Sequence, residues 1–288
     1  MHRYLVVIVM VLALLGGAAA QAANVVRRIP PPEDPAPILT PRPVPRPTTR
    51  PTPIRPPTGE PAANPTPAPA PTPSSSPAPA QPAGPPGLLR TLETSERVVA
   101  VTFDDGPSPE WTPRILALLA AHDAHATFFV LCQEAERHPD VVHTIAAAGH
   151  QVAGHTFSHR DLTGLGEDGY VAEVDRTNRL ITDLTGSSVT CVRPPFGAFD
   201  AHVVARLAAR GLDTAMWSVD TRDWSRPGTG AIVERAIGGL APGAVVLFHD
   251  GGGDRSQTLA ALEQFLAAAR TDGYGVVPMC APRYPAAS

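Results

Sequence analysis

The segment 98–107 reads VVAVTFDDGP. Its β-branched and aromatic residues up to Phe103 predict a strand, and the Gly-Pro pair at its end is a typical turn signal. Two adjacent carboxylates, Asp104 and Asp105, lie between the strand and the turn. If they are buried together they repel each other, so each needs a proton or a cation. Two exposed turn aspartates are the alternative interpretation.

Short apolar runs of this kind alternate with longer amphipathic runs over the rest of the chain. The strand candidates are 98–103, 126–131, 151–153, 189–192, 214–219, 244–248 and 276–278. The helix candidates are 112–121, 139–148, 168–185, 201–209, 231–237 and 256–270. This alternation predicts an α/β fold with a parallel sheet and helices outside it. Seven strands favour a barrel or near-barrel, whose active site lies at the carboxyl ends of the strands.

The chain before this region has a different composition. Of the 35 prolines, 24 lie between Pro30 and Pro86. Such a segment has too few apolar residues to bury a core, so residues 23–91 are predicted to be a disordered, extended Pro/Ala/Thr-rich linker. Residues 92–288 are long enough to form one domain with a sizeable core.

Residues 1–22 have the pattern of an export signal. Arg3 is followed by an apolar run over residues 4–15, and Ala20-Gln21-Ala22 fits a small-x-small cleavage site. An uncleaved membrane anchor is the alternative, because residues 4–23 are about long enough to span a bilayer. In both cases we expect an extracytoplasmic protein, either secreted or associated with the cell wall or membrane.

The predicted domain is acidic. Residues 92–288 contain 15 arginines against 24 aspartates and glutamates, which gives a net charge of −9. Nucleic-acid binding normally needs a basic face, so a nucleic-acid partner is not expected.

Three cysteines, Cys132, Cys191 and Cys280, follow the signal segment. In an oxidising compartment this odd number fits one disulfide and one free thiol. The sequence leaves all three pairings open, as well as three separate buried thiols.

Two histidines follow the third predicted strand. His155 and His159 are four residues apart in the segment GHTFSH and can share one face of a helical turn. Such a pair occurs by chance on many surfaces, but here it lies at the same predicted sheet edge as the two aspartates. Two imidazoles and one carboxylate could form a three-ligand metal site with open positions for water and substrate. The second carboxylate would then be free to act as a base.

Polar residues also follow the fourth, fifth and sixth predicted strands. Arg193 could hold a carboxylate by paired hydrogen bonds. The fifth strand leads into residues 220–224, DTRDW, and the sixth ends at His249. Each of these segments alone could be an ordinary loop or a structural group. Polar clusters at five strand ends together favour a mononuclear metal hydrolase with a carboxylate base and a histidine acid.

These clusters resemble, in order and spacing, the five motifs of polysaccharide deacetylases with the NodB homology domain (carbohydrate esterase family 4). The matching segments are 102–107 (TFDDGP), 155–159 (HTFSH), 193–197 (RPPFG), 220–224 (DTRDW) and 247–250 (LFHD). The resemblance covers about residues 98–279. It implies a distorted (β/α)7 barrel and a hydrolase that uses a divalent metal, usually Zn²⁺, with Co²⁺ and other divalent ions as alternatives.

The resemblance also implies a role for each motif residue. The implied metal ligands are Asp105, His155 and His159. The resemblance implies Asp104 as the general base and Arg193 as the residue that orients Asp104. It also implies His249 as the general acid and Asp223 as the residue that tunes His249. The implied substrate contacts are Phe196, Gly197, Trp224 and Leu247.

The implied function is hydrolysis of N-acetyl groups on a polysaccharide that contains N-acetylglucosamine, of the peptidoglycan or chitin type, by metal-activated water. We expect a monomer whose partner is the polysaccharide, with membrane association only through an uncleaved N-terminal segment. An acetylxylan-type O-deacetylase would use the same site, and an inactive wall-binding module would keep the fold. A glycosidase is disfavoured because its two carboxylates flank a sugar ring and leave no task for the histidine pair.

Overall fold

A computed structural model of the protein describes residues 87–280. The predicted signal segment 1–22, residues 23–86 of the predicted linker and the last residues, 281–288, lie outside the described part of the chain. Among the described residues, no helix is both long enough and apolar enough to cross a membrane.

Within the described residues, nine strands form one parallel sheet. In chain order they are β1 (Leu88–Leu89), β2 (Val98–Asp104), β3 (Thr127–Val130), β4 (Gln151–Gly154), β5 (Cys191–Val192), β6 (Asp213–Ala215), β7 (Val219–Asp220), β8 (Val245–His249) and β9 (Gly275–Val277). The order across the sheet is β1-β6-β5-β4-β3-β2-β8-β7, and β9 pairs with the beginning of β2.

Helices connect the strands and pack on the sheet through their apolar residues. They are α1 (Thr112–Ala121), α2 (Cys132–Arg137), α3 (Pro139–Ala147), α4 (Glu167–Tyr170), α5 (Arg176–Thr185), α6 (Ala201–Ala208), α7 (Thr229–Gly238) and α8 (Ser256–Thr271). A π-helical turn, Val171–Asp175, joins α4 to α5. Two 3-10 turns cover Pro195–Gly197 and Asp223–Ser225.

The sheet is rolled into an incompletely closed barrel. Strands β6 and β7 stand six places apart in the strand order, which would separate them by roughly 29 Å in a flat sheet. Only residues 216–218 connect them, and four residue steps span at most about 14 Å. The two edges of the sheet must therefore approach each other, which confirms the predicted distorted barrel.

Two differences from the predicted elements account for nine strands instead of seven. The single strand predicted over 214–219 is two strands, because the chain crosses from one edge of the curled sheet to the other at residues 216–218. Strand β1 lies inside the segment predicted as linker, and Leu88 pairs with Thr214 of β6. The described fold therefore begins before the predicted domain boundary at residue 92.

Side chains along β2 alternate between two cores. Val101 and Phe103 belong to the core between sheet and helices, whereas Ala100 belongs to a second core. This second core takes residues from six neighbouring strands and therefore fills the inside of the barrel. By the same alternation, Asp104 at the end of β2 points to the inside.

One disulfide, Cys191–Cys280, joins β5 to the segment that follows β9, and Cys132 is a buried free thiol. This is one of the three pairings that the sequence left open, and three separate thiols are excluded. Cys280 and its neighbour Met279 are buried in the core inside the barrel. The disulfide thus holds Met279 and Cys280 inside the barrel, close to the residues that follow β5.

Candidate active site

The ends of the parallel strands place the predicted site residues around one cavity. Asp104 ends β2 and is in register with His249 at the end of β8. The ends of β4 and β5 pair at Gly154, which brings His155 and Arg193 side by side. The cavity has a volume of about 400 Å³, and nine of the eleven predicted site residues line it. The other two, Arg193 and Asp223, are buried, and each bonds a lining residue.

The side chains of two adjacent aspartates reach the same cavity because the extended conformation of the strand ends between them. Asp104 is the last residue of β2, and Asp105 has a left-handed backbone with φ of 72°. In a continuing strand their side chains would point to opposite faces. The change of conformation at Asp105 turns its carboxylate to the side on which Asp104 lies.

Three side chains form a candidate metal centre. Oδ1 of Asp105 lies 3.5 Å from Nε2 of His155 and 3.4 Å from Nε2 of His159. All three ligand atoms lie within 4.8 Å of one another. Ligand atoms about 2.1 Å from a tetrahedral zinc ion would be about 3.4 Å apart, so this spacing fits such an ion.

Two further observations support a cation at this position. Oδ1 of Asp105 is buried and has no hydrogen-bond partner among the described residues, although a buried polar atom normally has one. Nδ1 of His155 lies 2.7 Å from the carbonyl oxygen of Arg193. Its proton is donated there, which leaves the lone pair of Nε2 directed at Asp105. Burial lowers the pKa of His155 to about 3, so the imidazole is neutral, as a metal ligand must be.

The turn that carries the two histidines is not helical. Thr156 has φ of 69° and His159 has φ of 61°, both in the left-handed region. The helical turn expected from the four-residue spacing is therefore wrong, although the two imidazoles do meet. Their ring centroids are 5.1 Å apart.

Asp104 is fixed by a buried arginine. Nη1 of Arg193 donates to Oδ1 of Asp104 at 2.6 Å and to the hydroxyl of Thr102 at 2.9 Å, and Nη2 donates to the carbonyl oxygen of Met216 at 3.0 Å. Burial raises the pKa of Asp104 above its ordinary value, while the charges of Arg193 and His249 oppose the rise. The result is a carboxylate of fixed orientation and increased basicity. Its second oxygen, Oδ2, lies 3.8 Å from Nε2 of the ligand-forming imidazole.

His249 has a corresponding partner in Asp223. Nδ1 of His249 lies 2.7 Å from Oδ1 of Asp223, while the backbone N–H of His249 and the hydroxyl of Thr258 donate to Oδ2 at 2.9 Å and 2.8 Å. Burial acts to lower the pKa of His249, but the hydrogen bond and charge of Asp223, together with the charges of Asp104 and Asp105, outweigh it and raise that pKa. Nε2 is left free to carry a proton toward the cavity.

The cavity mouth is aromatic. The side chains of Phe196 and Trp224 are 72% and 57% exposed, whereas Leu247 is buried at the wall. Gly197 has φ of 64°, and a Cβ at this position would lie 2.6 Å from the ring of Trp217. Only glycine therefore allows that ring to form part of the wall.

Four residues of the site are not among the predicted site residues. Trp217 and Asp220 line the cavity, and Thr258 and Glu173 hold other site residues. Asp220 lies in the motif segment 220–224, whereas Thr258 and Glu173 lie on helical segments outside the motifs. Trp217 lies within the predicted strand 214–219, where an aromatic residue is expected for packing alone.

Asp250 packs against the turn that follows the two adjacent aspartates. Its carboxylate accepts a hydrogen bond from the hydroxyl of Thr112 and lies against Gly106, where a Cβ would be 2.3 Å from both carboxylate oxygens. Burial raises the pKa of Asp250 to about 7. This side chain explains why the turn after the paired aspartates needs glycine.

Comparisons with known proteins identify one enzyme family. A family model described as polysaccharide deacetylase matches residues 91–215. The chitooligosaccharide deacetylase of Rhizobium leguminosarum bv. trifolii is 39% identical over 194 residues, which is 64% of this chain and 90% of that protein. A solved peptidoglycan N-acetylglucosamine deacetylase has a TM-score of 0.65 at 31% identity, with 69% of this chain and 95% of that chain covered.

A further solved structure is that of a pseudoenzyme of carbohydrate esterase family 4 from Bacillus anthracis. Its TM-score is 0.63 at 29% identity, with 68% of each chain covered. The family model and the two deacetylases define the class of the protein, an enzyme that hydrolyses the N-acetyl amide bonds of a polysaccharide. The chain belongs to the polysaccharide deacetylase family, carbohydrate esterase family 4.

Proposed function

We propose that the protein is a zinc-dependent, extracytoplasmic deacetylase that removes acetyl groups from N-acetylglucosamine residues of a peptidoglycan-type polymer. The observation that carries the proposal is the buried, unpartnered Oδ1 of Asp105 between the imidazoles of His155 and His159. Next to it on the cavity wall are the Arg193-bound carboxylate of Asp104 and the imidazole of His249. One cavity thus combines a cation site, a base and an acid.

Asp104 acts as the base in this proposal. A bound zinc ion would supply a Lewis acid that polarises the acetyl carbonyl and lowers the pKa of water. Arg193 occupies Oδ1 of Asp104, so Oδ2 is the atom that accepts the proton of the attacking water. The raised pKa of Asp104 makes this proton transfer more favourable than it would be to an exposed aspartate.

His249 acts as the acid. An amine leaves only when it is protonated, and Nε2 of His249 is the proton donor that faces the cavity. The carboxylate of Asp223 keeps the proton on Nδ1 and stabilises the imidazolium, as its raising of the His249 pKa indicates. The protonated form is therefore more populated at neutral pH than in an ordinary histidine.

The aromatic mouth fits a sugar substrate. Exposed rings of Phe196 and Trp224 offer apolar faces at the rim, and the buried Leu247 offers a small apolar wall for the acetyl methyl group. We favour a peptidoglycan-type polymer over a chitin-type one because of the predicted linker, whose some sixty residues could extend well over 100 Å at about 3 Å per residue. Such a reach would suit a domain that works within a cell wall.

The test is acetate release by the purified protein from peptidoglycan, chitooligosaccharide and acetylated xylan, with chelator and with Zn²⁺ restored. We expect release from peptidoglycan that the chelator abolishes and Zn²⁺ restores. Release from acetylated xylan alone would identify an O-deacetylase. A protein that binds zinc and all three polymers but releases no acetate would be the wall-binding module instead.

A further inference from the structure

The turn between the two histidines is held through its backbone on two sides. On one side, the N–H groups of Cys132 and Gln133 donate to the carbonyl oxygens of Thr156 at 3.1 Å and Phe157 at 3.0 Å. These donors belong to the first turn of α2, where a helix leaves N–H groups without an intrahelical partner. The beginning of α2 therefore satisfies the carbonyl groups of the turn.

On the other side, one carboxylate takes the donors of the turn. Oε2 of Glu173 accepts from the N–H of Phe157 at 3.0 Å and from the N–H of Ser158 at 2.9 Å, and Oε1 accepts from the hydroxyl of Ser158 at 2.7 Å. Glu173 is only 5% exposed. Hydrogen bonds to a buried carboxylate are stronger than those between neutral groups, so this contact is a fixed part of the structure.

Glu173 lies where the helical segment departs from α-helical geometry. Glu173 is the middle residue of the π-helical turn Val171–Asp175. Each added residue rotates the following side chains by about 100°, so a single insertion changes which residue of the helix faces the turn. Such π-helical insertions are rare and are often found at functional sites.

The turn needs external support because its own conformation is unfavourable. Thr156 and His159 both have positive φ, and this region is especially unfavourable for a β-branched residue such as threonine. Residues held there persist only where the surroundings determine the conformation. The backbone groups that α2 and Glu173 hold all lie between the α-carbons of His155 and His159.

We propose that Glu173 is a positioning residue of the metal centre. By fixing the backbone of residues 157 and 158, it sets the separation of the imidazoles of His155 and His159 before the ion binds. Glu173 does not line the cavity, so it acts through the turn and not on the substrate. This inference rests on the proposed metal site.

The test is the dissociation constant for Zn²⁺ of the purified full chain, measured by competition with a chromophoric chelator. Glu173→Gln removes the negative charge, and the amide nitrogen cannot accept hydrogen bonds, so the contacts that hold the turn become weaker or fewer. We expect Zn²⁺ to bind about 10–100-fold more weakly, as for other residues that orient metal ligands. Glu263→Gln, at an exposed position of α8, should bind Zn²⁺ as tightly as the parent chain.

A second variant covers the case in which Glu173→Gln fails to give a cooperative thermal transition. Ser158→Ala removes only the hydroxyl donor, and we expect a smaller but measurable weakening of Zn²⁺ binding. Parental affinity in a folded Glu173→Gln, or in Ser158→Ala when the first variant does not fold, would overturn the role of Glu173. A parent chain that binds no Zn²⁺ would overturn the metal site itself, and this inference with it.

Discussion

At the scale of single residues, Asp104 and His249 each depend on a buried neighbour. Arg193 fixes one oxygen of Asp104, and Asp223 fixes one nitrogen of His249, so each leaves a single atom free for proton transfer. Both pKa values are raised, but for different reasons: burial raises that of Asp104, whereas at His249 burial acts to lower it and the neighbouring carboxylates, Asp223 foremost, together raise it. Variants of these residues should therefore have separable effects.

Asp104→Asn should remove the base while leaving the metal ligands in place. We expect kcat for acetate release to fall by roughly 10²–10⁴, the usual contribution of a general base, with Zn²⁺ content unchanged. The asparagine oxygen can still accept from Arg193, and thermal melting checks that the domain is folded. Asp183→Asn, on the exposed side of α5, is the matched control and should keep parental kcat. A variant that retained most of its activity would remove Asp104 from the role of base.

Asp223→Asn should move the alkaline limb of the pH–rate profile. The acid must be protonated, and Asp223 raises the pKa of His249, so losing its charge lowers that pKa. The alkaline limb of kcat/KM should therefore shift to lower pH. Thr258→Ala removes one hydrogen bond to Asp223 but keeps the charge, so its limb should shift much less. An unmoved limb in Asp223→Asn would mean that His249 is not the acid.

The motifs were sufficient to predict nine of the eleven residues that line the cavity. They could not predict Glu173, Thr258 or Trp217, because each acts as a single residue at a distance set by the packing of helices and sheet edges. A spacing pattern exists only where several residues share one short segment. Residues that support a site from elsewhere in the fold have no such pattern.

At the scale of elements, the C-terminal segment after β9 is part of the catalytic scaffold. The disulfide Cys191–Cys280 lies two residues before Arg193 on one side and directly after Met279 on the other. Sδ of Met279 lies 3.7 Å from Nη2 of Arg193, and the backbone N–H of Met279 donates to the hydroxyl of Thr127 at 2.9 Å. The disulfide thus fixes a residue that packs directly beneath the arginine of the site.

Loss of this disulfide should lower both stability and activity. It closes a loop of 89 residues, so the Cys191→Ser/Cys280→Ser double variant should lose roughly 4–5 kcal/mol of unfolding free energy in urea denaturation. We also expect lower kcat at temperatures where the variant is folded, because Met279 is held less firmly against Arg193. Cys132→Ala leaves the disulfide intact and controls for loss of a buried cysteine. A double variant with the parental urea midpoint would contradict this scaffold role.

The elements differ in how well the sequence predicted them. The predicted helix 112–121 has the observed bounds of α1, because its apolar period and the proline in its first turn are local signals. Helix α2 was not predicted, since its six residues carry only two buried side chains and no repeated apolar period. The division of the strand predicted over 214–219 depends on how the sheet curls, which no local pattern encodes.

At the scale of the whole molecule, β1 connects the N-terminal edge of the described fold to the active site. The N–H of Thr214 donates to the carbonyl oxygen of Gly87 at 2.8 Å, and the N–H of Met216 donates to that of Leu89 at 2.7 Å. Met216 in turn accepts from the guanidinium of Arg193 through its own carbonyl oxygen. The strand therefore supports a residue that helps to orient the proposed base.

Two truncations should separate the linker from this strand. A chain that begins at Gly87 retains β1 and every motif, so we expect unchanged kcat/KM on soluble chitooligosaccharide. A chain that begins at Leu92 loses the pairing of β1 with β6, including the two backbone bonds named above, and the bond from the N–H of Gly87 to Asp213, which is 2.7 Å long. At about 0.5–1.5 kcal/mol for each bond, it should lose roughly 2–4 kcal/mol of unfolding free energy. Its kcat should also fall, because Met216 loses its support.

Equal stability and kcat in the two truncated chains would mean that β1 contributes nothing to the site. Loss of activity already in the chain from Gly87 would assign a catalytic contribution to residues 1–86.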